Sequence, residues 1–284
     1  MVSRSNSPIM NRLPLEVLEH IFDLSSTPSC LSLALVSKLF SALAIRALYN
    51  DIALTSSTKV ILCCRTLTSN EGAAEAVRTL EVTYSYYTPS SKTFLAAYYS
   101  LIEETIISLQ NLQTLRLFVH DPYFENLFHR CQLRDLRQVE CYLTPSSHLI
   151  KFLNRHPALD YLQLSPHEDT NLPLFALDSV GKYTHDIQLL ELPGLKHFVG
   201  NVQWIPYLGL SSRLRAAIIN WNAVDTNVEL AFQALHRSSQ QSLALLCCVR
   251  RSWNLDMLQS ISVWLPDIQY LHISNIMLVD AFPT

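Results

Sequence analysis

The chain holds 10 histidines, 7 cysteines and 24 acidic residues. The first question is whether any of them stand at the spacing of a reactive site. His167-Glu168-Asp169 could open a metal or catalytic set, but it lies in the polar stretch SPHEDTNLP, and a solvated loop accounts for it. His185-Asp186 reads the same way, and H-E-x-x-H is absent. Serine, histidine and aspartate are plentiful. A catalytic triad, however, needs its nucleophile on a strained turn, and no G-x-S-x-G occurs. Phosphate-binding loops need glycine where backbone meets the ligand. Neither G-x-G-x-x-G nor G-x-x-x-x-G-K-[ST] is present. Glycine occurs 5 times in 284 residues, roughly 2% against a usual frequency of about 7%.

The cysteines lead to the same place. Cys63-Cys64 and Cys247-Cys248 are adjacent pairs in apolar runs. Neighbours in one strand point to opposite faces, which disfavours shared metal ligation. No C-x-x-C occurs, nor any Cys/His set with zinc spacing. The expectation is buried free thiols in a reducing compartment. No N-x-[ST] acceptor occurs either, so a cytoplasmic or nuclear location is expected. No catalytic residue, no metal site and no cofactor are expected, and the chain is not expected to be an enzyme.

The composition turns attention to what the chain must bury. Hydrophobic residues make up 49% and charged residues 16%, where about 25% charged is usual. The net charge of −3 has both signs well mixed, which argues against a nucleic-acid partner. Met1 to Arg12 is polar and lacks the apolar core of a signal peptide. The apolar stretch Leu31 to Tyr49 is interrupted by Lys38 and Arg46. Each charge would cost a few kcal/mol near a bilayer centre, so the stretch reads as buried helix and no membrane partner is expected.

Residues 13 to 54 read as helix throughout. Pro14 suits a first turn, and Val17, Leu18, Ile21 and Phe22 recur at helical spacing. Ser25-Ser26-Thr27-Pro28 breaks the helix, and a second run carries Leu31, Leu35, Leu39, Leu43 and Leu48. About 40 residues have little core of their own and need a partner or a neighbouring domain.

The segment LPLEVLEHIFDL (13–24) resembles the opening block of an F-box. Leu33-Ala34-Leu35-Val36-Ser37-Lys38-Leu39-Phe40 resembles its second block, and Leu48-Tyr49 stands where the family often has Leu-Trp. The departures are Ser37 for the commoner cysteine and Tyr49 for the commoner tryptophan. The resemblance implies docking on the Skp adaptor, and through it on a cullin scaffold, as part of an SCF ubiquitin ligase. It places adaptor contacts at Leu13, Pro14, Val17, Leu18, Ile21, Phe22, Leu35, Val36 and Leu39. The plain alternative is that several of these pack the helices against the following domain.

Beyond residue 54 a unit recurs: an apolar helix, a short break, then L-x-x-L-x-L. Its clearest copies start at Leu112, Leu159 and Ile268. Close variants start at Val77 and Leu136, and further candidates at Leu195, Leu214 and Leu243. Several steps fall in the range of about 20–29 residues typical of leucine-rich repeats. Helices are expected over Leu101 to Leu109, Ser146 to Asn154 with Ser146 as cap, Val228 to Leu235, and Leu255 to Leu265. Stacked units of this kind build a continuous core and a parallel sheet.

The expected architecture is α/β. A disordered tail (1–10) precedes all-α F-box helices (11–54), and an irregular leucine-rich-repeat-like solenoid with a parallel sheet follows (55–284). The pairing resembles fungal F-box proteins, and a non-repetitive α/β domain is the runner-up for 55–284. In such an array the residues between leucines face outward, which nominates Arg116, Glu140, Tyr161, Gln163, Gln269 and His272 for binding a target protein. The functional expectation is a substrate receptor of an SCF-type ligase. A non-ligase interaction scaffold whose F-box-like helices only cap the solenoid is the alternative, and an enzyme with an unrecognised site is a more distant one. The final repeat is expected to leave an exposed apolar edge near Ile276 and Leu278, or to end short of its relatives.

Overall fold

The computed structural model describes residues 13–83, 94–119, 121–143, 145–164, 188–209, 213–221, 227–240, 242–250 and 255–275. The tail 1–10, His167-Glu168-Asp169, His185-Asp186, Ile276 and Leu278 lie outside the described residues.

Three helices come first: α1 (Leu15–Asp23), α2 (Thr27–Leu33) and α3 (Lys38–Tyr49). Ser26 caps α2, its Oγ accepting the Ser29 N–H at 3.4 Å. The run from Leu31 to Leu48, expected as one helix, is two. Ser37 is extended and its Oγ accepts the Phe40 N–H at 3.2 Å, so a helix start is written into the middle of the apolar run. The helical reading to residue 54 is also corrected. Asp51–Leu54 is a strand, β1, in which Ile52 and Leu54 point inward while Asp51 and Ala53 are exposed. Its period of two was hidden by the helical context before it.

Among the described residues eight more strands follow: β2 (Thr79–Thr83), β3 (Thr114–Phe118), β4 (Gln138–Cys141), β5 (Tyr161–Leu164), β6 (His197–Asn201), β7 (Ala216–Trp221), β8 (Leu245–Arg250) and β9 (Tyr270–Asn275). They form one nine-stranded sheet in chain order, and every pairing is parallel. The connections include α4 (Ser57–Ser69), α5 (Glu71–Ala76), α6 (Ala96–Ser108), α7 (Ser147–Asn154), α8 (Val228–Ser239) and α9 (Leu255–Trp264). Two 3₁₀ segments, Pro122–Phe128 and Val202–Tyr207, stand where longer helices would otherwise cross. Ser146 caps α7 as expected, accepting the Leu149 N–H at 3.2 Å.

All eight motif starts lie two residues ahead of a strand. The leading apolar residue is therefore not in the strand but in the turn that feeds it. Val77, Leu112, Leu136, Leu159, Leu195, Leu214 and Leu243 are all buried there. The next residue's carbonyl in one unit then accepts two successive N–H groups from the following unit. Arg78 O takes those of Gln113 and Thr114, Gln113 O those of Arg137 and Gln138, and Arg137 O those of Asp160 and Tyr161. The pattern runs from Asn50 to Ala244 at 2.8–3.2 Å. Inside the strands, Leu80, Leu115, Val139, Leu162, Phe198, Ala217 and Leu246 share one buried row. Gly200 in β6 is held to glycine by packing. A Cβ there would lie 2.9 Å from Leu164 O and 2.7 Å from the Phe198 ring.

Parallel sheets are usually covered on both faces. Here the buried rows and the helices share one side, and the outward residues of the strands are half-buried or exposed except Glu140, which is buried beneath its ion pair with Arg116. The core is one continuous cluster from Ile52 to Leu265. A second, small cluster sits within α1–α3.

His156 fixes one inter-unit contact in this core. Its Nδ1–H donates to Phe152 O at 2.7 Å, and its Nε2 accepts the Leu133 N–H at 2.9 Å. Both ring nitrogens are committed, so the neutral ring is the form that fits. Burial pushes its pKa below the ordinary value of 6.5. The unfolded chain protonates first as pH falls, so the stability this residue contributes is complete above about 6.5 and is lost as pH drops through the lower folded value. Thermal melts should show a decrease in Tm from pH 7.5 to 5.5, and His156→Gln should flatten that dependence while lowering Tm at pH 7.5.

Candidate docking surfaces

Helix α1 carries two apolar stripes. Leu18 and Phe22, four residues apart, turn inward and are 4% and 2% exposed. They pack with Cys30, Phe40, Leu43 and Ala44, and the Phe22 and Phe40 rings meet edge to face at 5.5 Å. The other stripe, Leu13, Pro14, Val17 and Ile21, is exposed, and so are Leu35, Val36 and Leu39 at the α2–α3 turn. Leu35 is 89% and Val36 65% exposed. The nominated adaptor contacts therefore divide. Leu18 and Phe22 hold the three helices together and are corrected to core. The other seven share the surface of the helical unit.

Three exposed leucines of the helical unit were not nominated: Leu15, Leu24 and Leu31. Leu24 and Leu31 flank the Ser25–Pro28 break, so their place beside a turn was the available signal. Single exposed leucines are ordinary, but a grouping this large on about 40 residues marks an interaction surface. Helix α3 faces two ways. Phe40, Leu43 and Ala44 close the small cluster, while Ile45 and Tyr49 pack against the sheet core. The surface ion pair Arg46–Glu19 at 2.8 Å ties α3 to α1.

On the open face of the sheet, Arg116, Glu140 and Gln163 are register neighbours on β3, β4 and β5. Arg116 Nε–H donates to Glu140 Oε1 at 2.9 Å, and Arg116 Nη1 lies 3.6 Å from Glu81 Oε2. Gln138 Nε2 donates to Glu140 Oε1 at 2.5 Å, and the Tyr161 hydroxyl donates to Gln163 Oε1 at 3.0 Å. The Phe118 and Tyr142 rings lie beside this network, 4.9 Å apart. Burial, followed by the nearby Glu140 carboxylate, raises the pKa of both Tyr142 and Tyr161. Four of the six nominated residues thus come together.

The other two do not join them. His272 is on β9, beside Cys247 of β8. Gln269 is corrected from the outward row to the strand entry, where its N–H donates to Ala244 O. Glu81, Phe118 and Tyr142 were missed. Glu81 and Phe118 stand at outward positions of the same alternation that nominated Arg116.

A cleft of about 650 Å³ lies between the helical unit and the first units of the sheet, lined among others by Glu19, Asp23, Arg46, Glu75 and Arg78. None of its lining residues is serine, cysteine or histidine. Burial pushes the thiols of Cys131, Cys141 and Cys248 up to about 12 and that of Cys63 up to about 11, which keeps them protonated and unreactive near neutral pH. Cys63 and Cys64 sit on helix α4 rather than on a strand. Among the described residues no three His, Cys, Asp or Glu side chains gather as a metal site requires, and no helix is long and apolar enough to cross a membrane.

A family model of F-box-like domains matches residues 10–55, the span that contains all three helices and the uncovered apolar surface. The chain carries an F-box-like domain. It is therefore an α/β protein in which F-box helices lead directly into a parallel sheet. No curated protein matches the chain in sequence.

The division of the F-box residues can be measured. Phe22→Ala should destabilise the F-box helices by about 3–5 kcal/mol. Val36→Asp should change stability by no more than about 0.5 kcal/mol, because the site is already in water. Circular dichroism melts of both variants check this.

Proposed function

We propose that the chain is the substrate-receptor subunit of an SCF-type cullin ubiquitin ligase, with the F-box docked on the Skp adaptor. One observation carries the reading. Helix α3 already covers the first unit of the sheet through Ile45 and Tyr49, yet Leu13, Val17, Ile21, Leu35, Val36 and Leu39 stay exposed. A partner's helices laid on that surface would bury it. The chain-order stack of strands and connections supports reading the rest as a leucine-rich-repeat-like solenoid, with its open sheet face as the target surface. The receptor then acts without chemistry of its own. It raises the effective concentration of target lysines near the ubiquitin carrier held by other subunits. Seven unpaired cysteines accord with work in the reducing cytosol or nucleus.

A second reading has its own support. The packing of Ile45 and Tyr49 on the sheet core is what a pure cap would show, so the F-box helices could serve a non-ligase scaffold. Co-expression with the Skp adaptor separates the two. The wild type should co-purify with it. Ile21→Asp combined with Val36→Asp should weaken the complex by about 2 kcal/mol or more with an unchanged melt. Absence of wild-type binding would leave the scaffold reading standing. Undiminished binding by the variant would move the adaptor contact to another surface.

A further inference from the structure

The outward rows of the sheet can be followed strand by strand through the register. Their charged residues are Asp51 on β1, Glu81 on β2, Arg116 on β3 and Glu140 on β4. From β5 to β9 the outward positions hold no Asp, Glu, Lys or Arg. They are Tyr161 and Gln163, then His197, Val199 and Asn201, then Ala216, Ile218 and Asn220, then Leu245, Cys247 and Val249, then Tyr270, His272 and Ser274. The face is thus divided. Three carboxylates and one guanidinium stand at the F-box end, beside the rings of Phe118, Tyr142 and Tyr161. Val199, Ile218, Cys247 and Leu245 stand uncharged further along.

We infer that the sheet face takes an extended segment of a target protein that carries a basic residue at one end and an apolar residue four to six positions away. The inference rests on the reading of that face as the target surface, and names the kind of sequence it selects. Charge complementarity sets the basic end. Arg116 neutralises one of its carboxylate neighbours, which leaves an excess of negative charge. An incoming arginine or lysine would stand between that charge and the faces of Phe118 and Tyr142, an arrangement that attracts cations. From β5 onward the outward rows offer a cation no carboxylate, so a cation gains nothing there. Apolar side chains of the segment would cover Val199 and Ile218 instead. The spacing follows from sheet geometry. Glu140 to Ile218 crosses three strand intervals and Arg116 to Ile218 four, about 14 to 19 Å at about 4.8 Å each. An extended chain covers that in about four to six residues.

The test is selection of twelve-residue peptides from a positional-scanning library by the immobilised full chain. The expected result is enrichment of Arg or Lys at one position and of Leu, Ile, Val or Phe four to six residues away, in either chain direction. Combined Glu81→Gln and Phe118→Ala should lower affinity for the selected peptide about five- to tenfold and erase the basic preference. Ile218→Lys should erase the apolar preference, and Leu62→Ala at an exposed position of α4 should change neither. Thermal melts of the variants confirm that the fold is kept. Enrichment of acidic residues, indifference to charge, or unchanged selection by the Glu81/Phe118 variant would overturn the inference while leaving the face as a target surface. Absence of any selected peptide would remove the target-surface reading as well. Adaptor co-purification is measured separately and is untouched by either outcome.

Discussion

At each junction of the sheet one backbone carbonyl accepts two successive N–H groups from the next unit, and the rest of the structure hangs on that repeated bond. It fixes where every strand begins relative to its neighbour, and so sets the register. An apolar residue two positions ahead of each strand from β2 to β9, leucine in six of the eight cases, makes the arrangement possible. It buries itself in the turn, draws the backbone down, and presents the next carbonyl to the following unit. A parallel sheet needs a crossover for every strand, and these crossovers differ widely. Some contain two helices, as between β1 and β2, and others a single 3₁₀ segment, as between β3 and β4. The junction tolerates both, because it requires only the apolar residue and the two amides after it.

That economy explains what the sequence showed. The strands were legible because their signal is an apolar pattern of fixed spacing, and each of the eight motif starts sits at the same distance from its strand. The strand ends were less clear, because the first leucine belongs to the turn. Segments without the motif were hidden. Asp51–Leu54 follows a long helical run and offers only two inward residues. The break before α3 rests on one serine within an apolar stretch. On α1, periodicity alone could not separate the inward pair Leu18 and Phe22 from the outward Val17 and Ile21. Adjacent residues on a helix are only about 100° apart, and the two stripes are equally apolar. On the sheet, alternation located the outward row correctly for Arg116, Glu140, Tyr161 and Gln163. It said nothing of which strands carry charge, since that depends on comparing registers across units.

The two candidate docking surfaces are joined without a linker. Helix α3 ends at Tyr49, and Asn50 is already the first double acceptor, taking the N–H groups of Arg78 and Thr79. The F-box helices are therefore anchored to the sheet by its own junction bond and by Ile45 and Tyr49. A partner on α1 and the α2–α3 turn would be held in fixed orientation to whatever lies on the sheet face.

The junction bond also makes the outward face a ruler. Its graduations are single strands, and their spacing does not depend on what each crossover contains. Lengthening a crossover alters only the covered side and leaves every mark on the open side in place. Removing a whole unit would shift all later marks by one graduation and keep their order. Variation in such a chain thus has two independent dials, one for the bulk behind the sheet and one for the distance between the features it displays.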